Sequence, residues 1–237
     1  MKTLDVQFLP QRPAGDVAVV IDVLRMTTTA TQLFKLGLAR LWVVAGIAEA
    51  RALAKKESSL LLGERQNKAL PGFDGGNSPL EYQGAGVHGK GAVLSTSNGA
   101  GAVEFAANAR HLLLGAVVNA GAVAKYALER AQKDISLICA GTGSSVSFDD
   151  VLGAACIASE LLKLDPSLEL SDGTKVALKA LEATPSLSQG LKESKHGLAL
   201  AKSGFAQDIA FAAKLNSLEV VAERAAMNPA QFRRVAL

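Results

Sequence analysis

Hydrophobic and polar positions alternate along this chain in blocks rather than at one constant period. Val17-Ala18-Val19-Val20-Ile21 is an unbroken, β-branched apolar run, which predicts a strand buried on both faces. Asp22 ends it. Beyond Thr27-Thr28-Thr29, residues Ala30, Leu33, Phe34 and Leu36 recur at helical spacing, and Gly37 stands where a helix stop is expected. Leu41-Trp42-Val43-Val44 predicts the next strand, Ile47 to Lys56 a helix, and Leu60-Leu61-Leu62 a short strand. Further strands are predicted over Ala92 to Thr96, Leu112 to Val118 and Ile135 to Ala140. Helices are predicted over Ala102 to Ala109, Ala120 to Gln132 and Phe148 to Leu162. Strand and helix in alternation argue for a mostly parallel or mixed sheet covered on both faces, a three-layer α/β/α fold.

Two stretches break the alternation. From Gly63 to Gly89 the periodicity stops, and Leu70, Phe73, Leu80 and Tyr82 mark this long segment as an ordered, functional loop. Beyond Leu164 the pattern becomes helical, over Gly173 to Ala183, Leu187 to Ala201 and Phe205 to Leu215, with a short strand at Glu219 to Ala222. The expected organisation is a main α/β region over residues 1–165 that carries the site loops. A helix-rich region over 166–237 would pack into the same globule.

Composition narrows the class. Of 237 residues, 49% are hydrophobic and 20% charged, so the chain buries a sizeable core. Its net charge of +3 is too small to imply a nucleic-acid surface. It has no uninterrupted apolar run of about 18 residues, so no membrane span is expected. Met1 to Pro10 lacks the apolar core of a secretory signal. Cys139 and Cys156 lack CxxC spacing and read as reduced thiols in a cytoplasmic protein.

Ligands bind outside the carboxyl ends of strands in open parallel sheets. The loops after Ile21, Leu62, Thr96 and Ala140 are therefore expected to converge. Together they carry Asp22, Arg25, Thr27 to Thr29, Glu64, Arg65, Asp74, Asn77, Asn98, Thr142, Asp149 and Asp150. Carboxylates suit Mg2+, whereas arginine and helix N-termini suit phosphate oxygens. An acid ending a buried strand is costly unless paired or ligating, which favours a functional Asp22 over a mere cap. For Asp149 and Asp150 alone, placement at a helix start is the plainer reading. For Glu64 and Arg65 it is a surface ion pair. His88, His111 and His196 are scattered, which argues against a zinc cluster or a histidine triad. Gly84 to Gly91 falls short of a phosphate-binding P-loop, because Gly91 replaces the required hydroxyl and a strand follows.

At these loops the chain resembles a known family. The stretches are Val20-Ile21-Asp22-Val23-Leu24-Arg25-Met26-Thr27-Thr28-Thr29, Gly63-Glu64-Arg65, Pro71 to Tyr82, Ser95-Thr96-Ser97-Asn98-Gly99 and Cys139-Ala140-Gly141-Thr142. They resemble the 2-phosphosulfolactate phosphatase (ComB-like) family. Where that family often has a basic residue after Thr142, this chain has Gly143-Ser144-Ser145. The resemblance implies a Mg2+-dependent phosphatase of the coenzyme M pathway, a homodimer that converts 2-phospho-3-sulfolactate to 3-sulfolactate and phosphate.

On that basis Asp22 and Glu64 are expected to hold Mg2+, with Asp74 or Asp150 assisting. Arg25 and Thr27 to Thr29 are expected to grip the phosphoryl oxygens. Arg65, Asn77, Ser78, Asn98, Gly99 and Thr142 are expected to hold the substrate. Leu24 stands where the well-known aspartate phosphatases keep a second acid, which favours metal-activated water over a nucleophilic Asp22. Two rival readings remain: a non-catalytic sensor of a phosphorylated or sulfonated metabolite, and a phosphatase for another small acidic phosphoester.

Overall fold

A computed structural model describes residues 1–65, 67–84 and 86–236. In chain order it contains β1 (Thr3–Gln7), β2 (Val17–Ile21), α1 (Met26–Lys35), β3 (Arg40–Val44), α2 (Ile47–Glu57), β4 (Leu60–Arg65), β5 (Lys68–Ala69) and β6 (Gly91–Ser95). Next come α3 (Asn98–Phe105), β7 (His111–Gly115), α4 (Ala120–Arg130), β8 (Asp134–Cys139), α5 (Phe148–Leu164) and β9 (Glu169–Leu170). The chain finishes with α6 (Asp172–Ala183), α7 (Leu187–Glu193), α8 (Lys195–Lys202), α9 (Ala206–Ala212), β10 (Ala222–Ala226) and β11 (Gln231–Arg234).

The strands form one mixed sheet in the order β5-β4-β6-β3-β11-β10-β7-β2-β8-β1-β9. Within it, β4, β6 and β3 pair parallel, as do β7, β2, β8, β1 and β9. The antiparallel hairpin β10–β11 joins the two parallel halves, pairing with β7 on one side and β3 on the other. Followed through these pairings, the two halves run in opposite senses.

All five residues of β2 are buried, as the unbroken apolar run requires. Val17, Val19 and Ile21 point into a core with α4 and α5, while Ala18 and Val20 point into another with α1 and α3. In the other half, Trp42, Val44 and Val93 pack against α2. This is the expected α/β/α layering. Each buried Val, Leu or Ile contributes roughly 1.5–3 kcal/mol to it. The region after Leu164 is tied into this structure: Thr174 accepts a hydrogen bond from the Val6 amide at 3.1 Å and donates to Leu4 O at 2.8 Å.

The loops meet for a different reason from the one expected. Four strands separate β6 from β2, so on a flat sheet the two would lie roughly 24 Å apart. Four extended residues span at most about 14 Å. Yet Gly99, four residues beyond β6, lies against Asp22, the residue after β2. The sheet therefore curls, and α3 bridges it. This helix packs on both β2 and β3, and the segment after it ends at Arg110, whose amide donates to Gly15 O at 3.2 Å just before β2.

Some expected elements shift. The strand predicted over Glu219 to Ala222 begins only at Ala222 and pairs with β11, a partner the pattern did not reveal. The helix predicted over Leu187 to Ala201 is broken into α7 and α8, because Ser194 caps a new helix by accepting from Gly197 N at 2.9 Å. Ser194 has extended backbone angles, which end the first helix.

Candidate active site

Asp22 stands directly after β2 and is only 6% exposed. Its Oδ1 accepts the Met26 amide at 3.2 Å, and its backbone carbonyl accepts from Thr27 N at 2.9 Å. A Cβ on Gly99 would fall 2.8 Å from Asp22 Oδ2 and 2.6 Å from Met26 Cε. Only glycine lets the start of α3 come this close. Burial pushes the Asp22 carboxyl up to about 6. Proximity to His196 and the Met26 amide oppose the rise, and the charges of Asp149 and Glu64 add to it.

The other side of the site comes from the start of α5 and from α8. Asp149 is fully buried, accepts from Ser147 Oγ at 2.8 Å, and leaves Oδ2 without a hydrogen-bond partner. His196 Nδ1 stands 3.5 Å from that oxygen and 3.3 Å from Ser147 Oγ, and its Nε2 lies 2.9 Å from Thr142 Oγ1. The Asp149 carboxylate raises the pKa of His196; burial works against it, and Asp22 and Glu64 reinforce it. Asp150 is tied on both oxygens, to Val23 N at 2.9 Å and Gly141 N at 3.0 Å. Burial, with Asp149 and Asp22 nearby, nevertheless holds its carboxyl well above the usual range.

The structure distributes the remaining predicted residues unevenly. Asn98 Oδ1 accepts from Gly143 N at 3.2 Å, which ties the start of α3 to the Thr142 loop. A cleft of about 370 Å3, lined by Ser97, Asn98, Ala140, Gly143 and Ser144, opens beside this tie. Glu64 accepts from Asn67 N at 2.6 Å and adds its charge to the field at Asp22.

The threonine hydroxyls are occupied by backbone. Thr27 donates to Asp22 O, Thr28 to Val23 O and Thr29 to Asn77 O, at 2.7 to 2.9 Å. Thr27 and Thr28 thus brace the Asp22 turn, and Thr29 ties α1 to the Asn77 loop. Arg25 is also occupied, because it pairs with Asp208 at 2.7 Å under the Phe205 ring. Ser78 Oγ donates to the other Asp208 oxygen at 2.7 Å. Arg65 donates to the carbonyls of Glu64 and Ala45 and to Ser95 Oγ, so it ties the ends of β4, β3 and β6 together instead of pairing with an acid. Asn77 is buried, and its Oδ1 has no partner. Asp74 is exposed and caps the Leu61 amide at 2.8 Å, a turn role in place of the expected metal role.

Sequence reasoning missed His196, Asp208 and the role of Asp149. His196 lies 54 residues from Thr142 and reaches it only through the packing of α8. The Ser194 cap signal was the one local hint that His196 opens a helix. Among the described residues, no three His, Cys, Asp or Glu side chains form a ready-made metal cage. Cys139 and Cys156 are free and buried. No helix among the described residues is long and apolar enough to cross a membrane.

The layered α/β architecture thus places a buried cluster of acids, Asp22, Asp149 and Asp150, at the ends of its loops. A family model described as 2-phosphosulpholactate phosphatase matches residues 4–226. The chain is 44% identical over 224 residues to a protein of Carboxydothermus hydrogenoformans, covering 93% of this chain and 92% of that one. It is 41% identical over 220 residues to one of Deinococcus radiodurans, covering 92% and 91%. To one of Thermus thermophilus it is 37% identical over 201 residues, covering 84% of each. All three carry the name "Probable 2-phosphosulfolactate phosphatase". The protein is thus a phosphoric monoester hydrolase. It belongs to the 2-phosphosulpholactate phosphatase family.

Proposed function

We propose that this protein hydrolyses 2-phospho-3-sulfolactate to 3-sulfolactate and inorganic phosphate with Mg2+, as a cytoplasmic homodimer serving coenzyme M synthesis. The relatives' names supply the substrate. The observation that carries the reading is the buried Asp22, which meets the charges of Asp149, Glu64 and His196 beside the glycine start of α3.

The donor set fits the metal. Mg2+ commonly takes one or two carboxylates and fills its other positions with water and substrate phosphate, so it needs no cage of three side chains. Asp22, raised by burial and by neighbouring acids, is a carboxylate that a cation would favour in its charged form. Asp22 and Glu64 would hold the ion, which when bound supplies charge neutralisation and an acidified water.

The chain's own groups do the positioning. Phosphate monoesters hydrolyse extremely slowly unaided, and catalysis of phosphoryl transfer is mostly alignment and charge stabilisation. The start of α3, brought against Asp22 by Gly99, would offer its first amides to phosphoryl oxygens. Asn98 fixes the Thr142 loop on the opposite rim. The Arg25–Asp208 pair holds the Asp22 turn against α9, the Thr27 and Thr28 hydroxyls fix that turn's backbone, and Thr29 ties α1 to the Asn77 loop.

A panel of phosphorylated small acids, assayed for phosphate release with and without Mg2+, tests the reading. The expected result is Mg2+-dependent release that is fastest on 2-phospho-3-sulfolactate. Binding without release, or faster release from another ester, would overturn it.

A further inference from the structure

Thr142, His196 and Asp149 lie in line, a hydroxyl, an imidazole and a carboxylate from three separate segments. Thr142 Oγ1 is 2.9 Å from His196 Nε2, and His196 Nδ1 is 3.5 Å from Asp149 Oδ2. Ser147 Oγ joins the second step, 3.3 Å from Nδ1 and 2.8 Å from Asp149 Oδ1. Asp149 Oδ2 is otherwise without a hydrogen-bond partner, although its side chain is only 1% exposed. A buried carboxylate oxygen left free beside an imidazole is stabilised by a proton on that ring. Thr142 itself is half-buried at the crevice rim, one residue from Gly143, which is tied to Asn98. Asn98 adjoins Gly99, which touches Asp22.

Resting on the phosphatase reading above, we propose that Thr142, His196 and Asp149 form a proton relay that protonates the departing ester oxygen, with Thr142 as its substrate-touching end. With both ring nitrogens protonated, His196 donates to Asp149 through Nδ1 and to Thr142 through Nε2. The Thr142 hydroxyl proton is then free to point into the crevice. As water adds to phosphorus and the P–O ester bond breaks, the Thr142 proton passes to the leaving oxygen, and the Nε2 proton replaces it on Thr142. One proton of the attacking water is released to solvent, and the ring regains its proton from solvent on product release. Water and ester thus become alcohol and phosphate with every proton placed. Other charged groups facing the ring are acids, Asp22 after β2 and Glu64 on β4, which also favour its protonated form. Arg25, a cation predicted for the crevice, is held by Asp208 and offers no acidic proton. A secondary alcohol is a poor leaving group, so a general acid here is worth about 10²–10⁴-fold in rate.

Leaving-group dependence separates a proton donor from a structural brace. Full-length wild type, His196→Gln, Thr142→Val and Thr142→Ser are assayed with Mg2+ on 2-phospho-3-sulfolactate and on 4-nitrophenyl phosphate, whose phenolate departs without a proton. His196→Gln and Thr142→Val should each lower kcat on the alkyl ester by about 10²–10⁴-fold, and on the aryl ester by less than about tenfold. Thr142→Ser should retain activity on both. If His196→Gln fails to fold, Thr142→Val carries the same comparison. Equal losses on both esters, no loss on either, or a trapped phosphothreonine would overturn the relay and leave the phosphatase reading standing. Wild-type enzyme that released phosphate from neither ester would overturn both.

Discussion

Gly99 and the Arg25–Asp208 pair show how single residues shape the crevice. A methyl group at Gly99 meets Asp22 Oδ2 and two atoms of Met26, so either the α3 start or the Asp22 turn must move. Gly99→Ala should therefore cost about 1–3 kcal/mol in urea unfolding, as overpacking does, and lower kcat/KM by at least roughly tenfold. Wild-type activity in that variant would contradict the close approach. Arg25 and Asp208 are each 3% exposed in their side chains. Asp208→Asn keeps the shape but leaves a buried guanidinium without its countercharge, a loss of about 3–5 kcal/mol. A midpoint shift well below that would show that the pair opens readily. Asp22, Glu64 and Asn98 stood out in the sequence because each lies at or just beyond the end of an apolar strand run. His196 and Asp208 were not, since their positions depend on how α8 and α9 fold back over the loops.

Elements were readable where the apolar pattern was strong. The run at β2 reads as a strand covered on both faces, and α1 was readable from Ala30, Leu33, Phe34 and Leu36 although it is buried all round from Met26 to Phe34. The hairpin β10–β11 was hidden because Ala222-Glu223-Arg224-Ala225-Ala226 has neither period nor β-branched residues. Tertiary pairing, not propensity, makes it a strand. Glu223 shows what holds it: its carboxylate lies 2.6 Å from His111 Nδ1 and accepts from Tyr126 Oη at 2.6 Å. Because this hairpin supplies the strand pairing between the two parallel halves among the described residues, its large buried anchor matters. Phe232 is fully buried in β11. Phe232→Ala should cost about 3–5 kcal/mol by chemical denaturation. A loss below about 1 kcal/mol would mean that the halves hold together without the hairpin.

For the whole molecule, the cost of the site appears as a dependence of stability on pH. The Asp22 carboxyl has an ordinary value of 3.8 and a folded value of about 6. It binds its proton more tightly when folded, so its stabilising effect is full below 3.8 and is lost as pH rises through about 6. Metal-free wild type should therefore lose up to a few kcal/mol between pH about 4 and about 8 that Asp22→Asn does not lose. Thermal melts in chelator check this, and identical pH profiles for the two proteins would contradict it. Added Mg2+ should restore wild type and leave Asp22→Asn unchanged.

The same substitution tests the central claim most directly. Phosphate release from 2-phospho-3-sulfolactate is measured with Mg2+ for wild type and for Asp22→Asn, both shown to be folded by their melting transitions. The account predicts release by wild type and a loss of about 10³-fold or more in the variant, because the metal that neutralises the phosphoryl charge loses a carboxylate that holds it. Full activity in Asp22→Asn would contradict it.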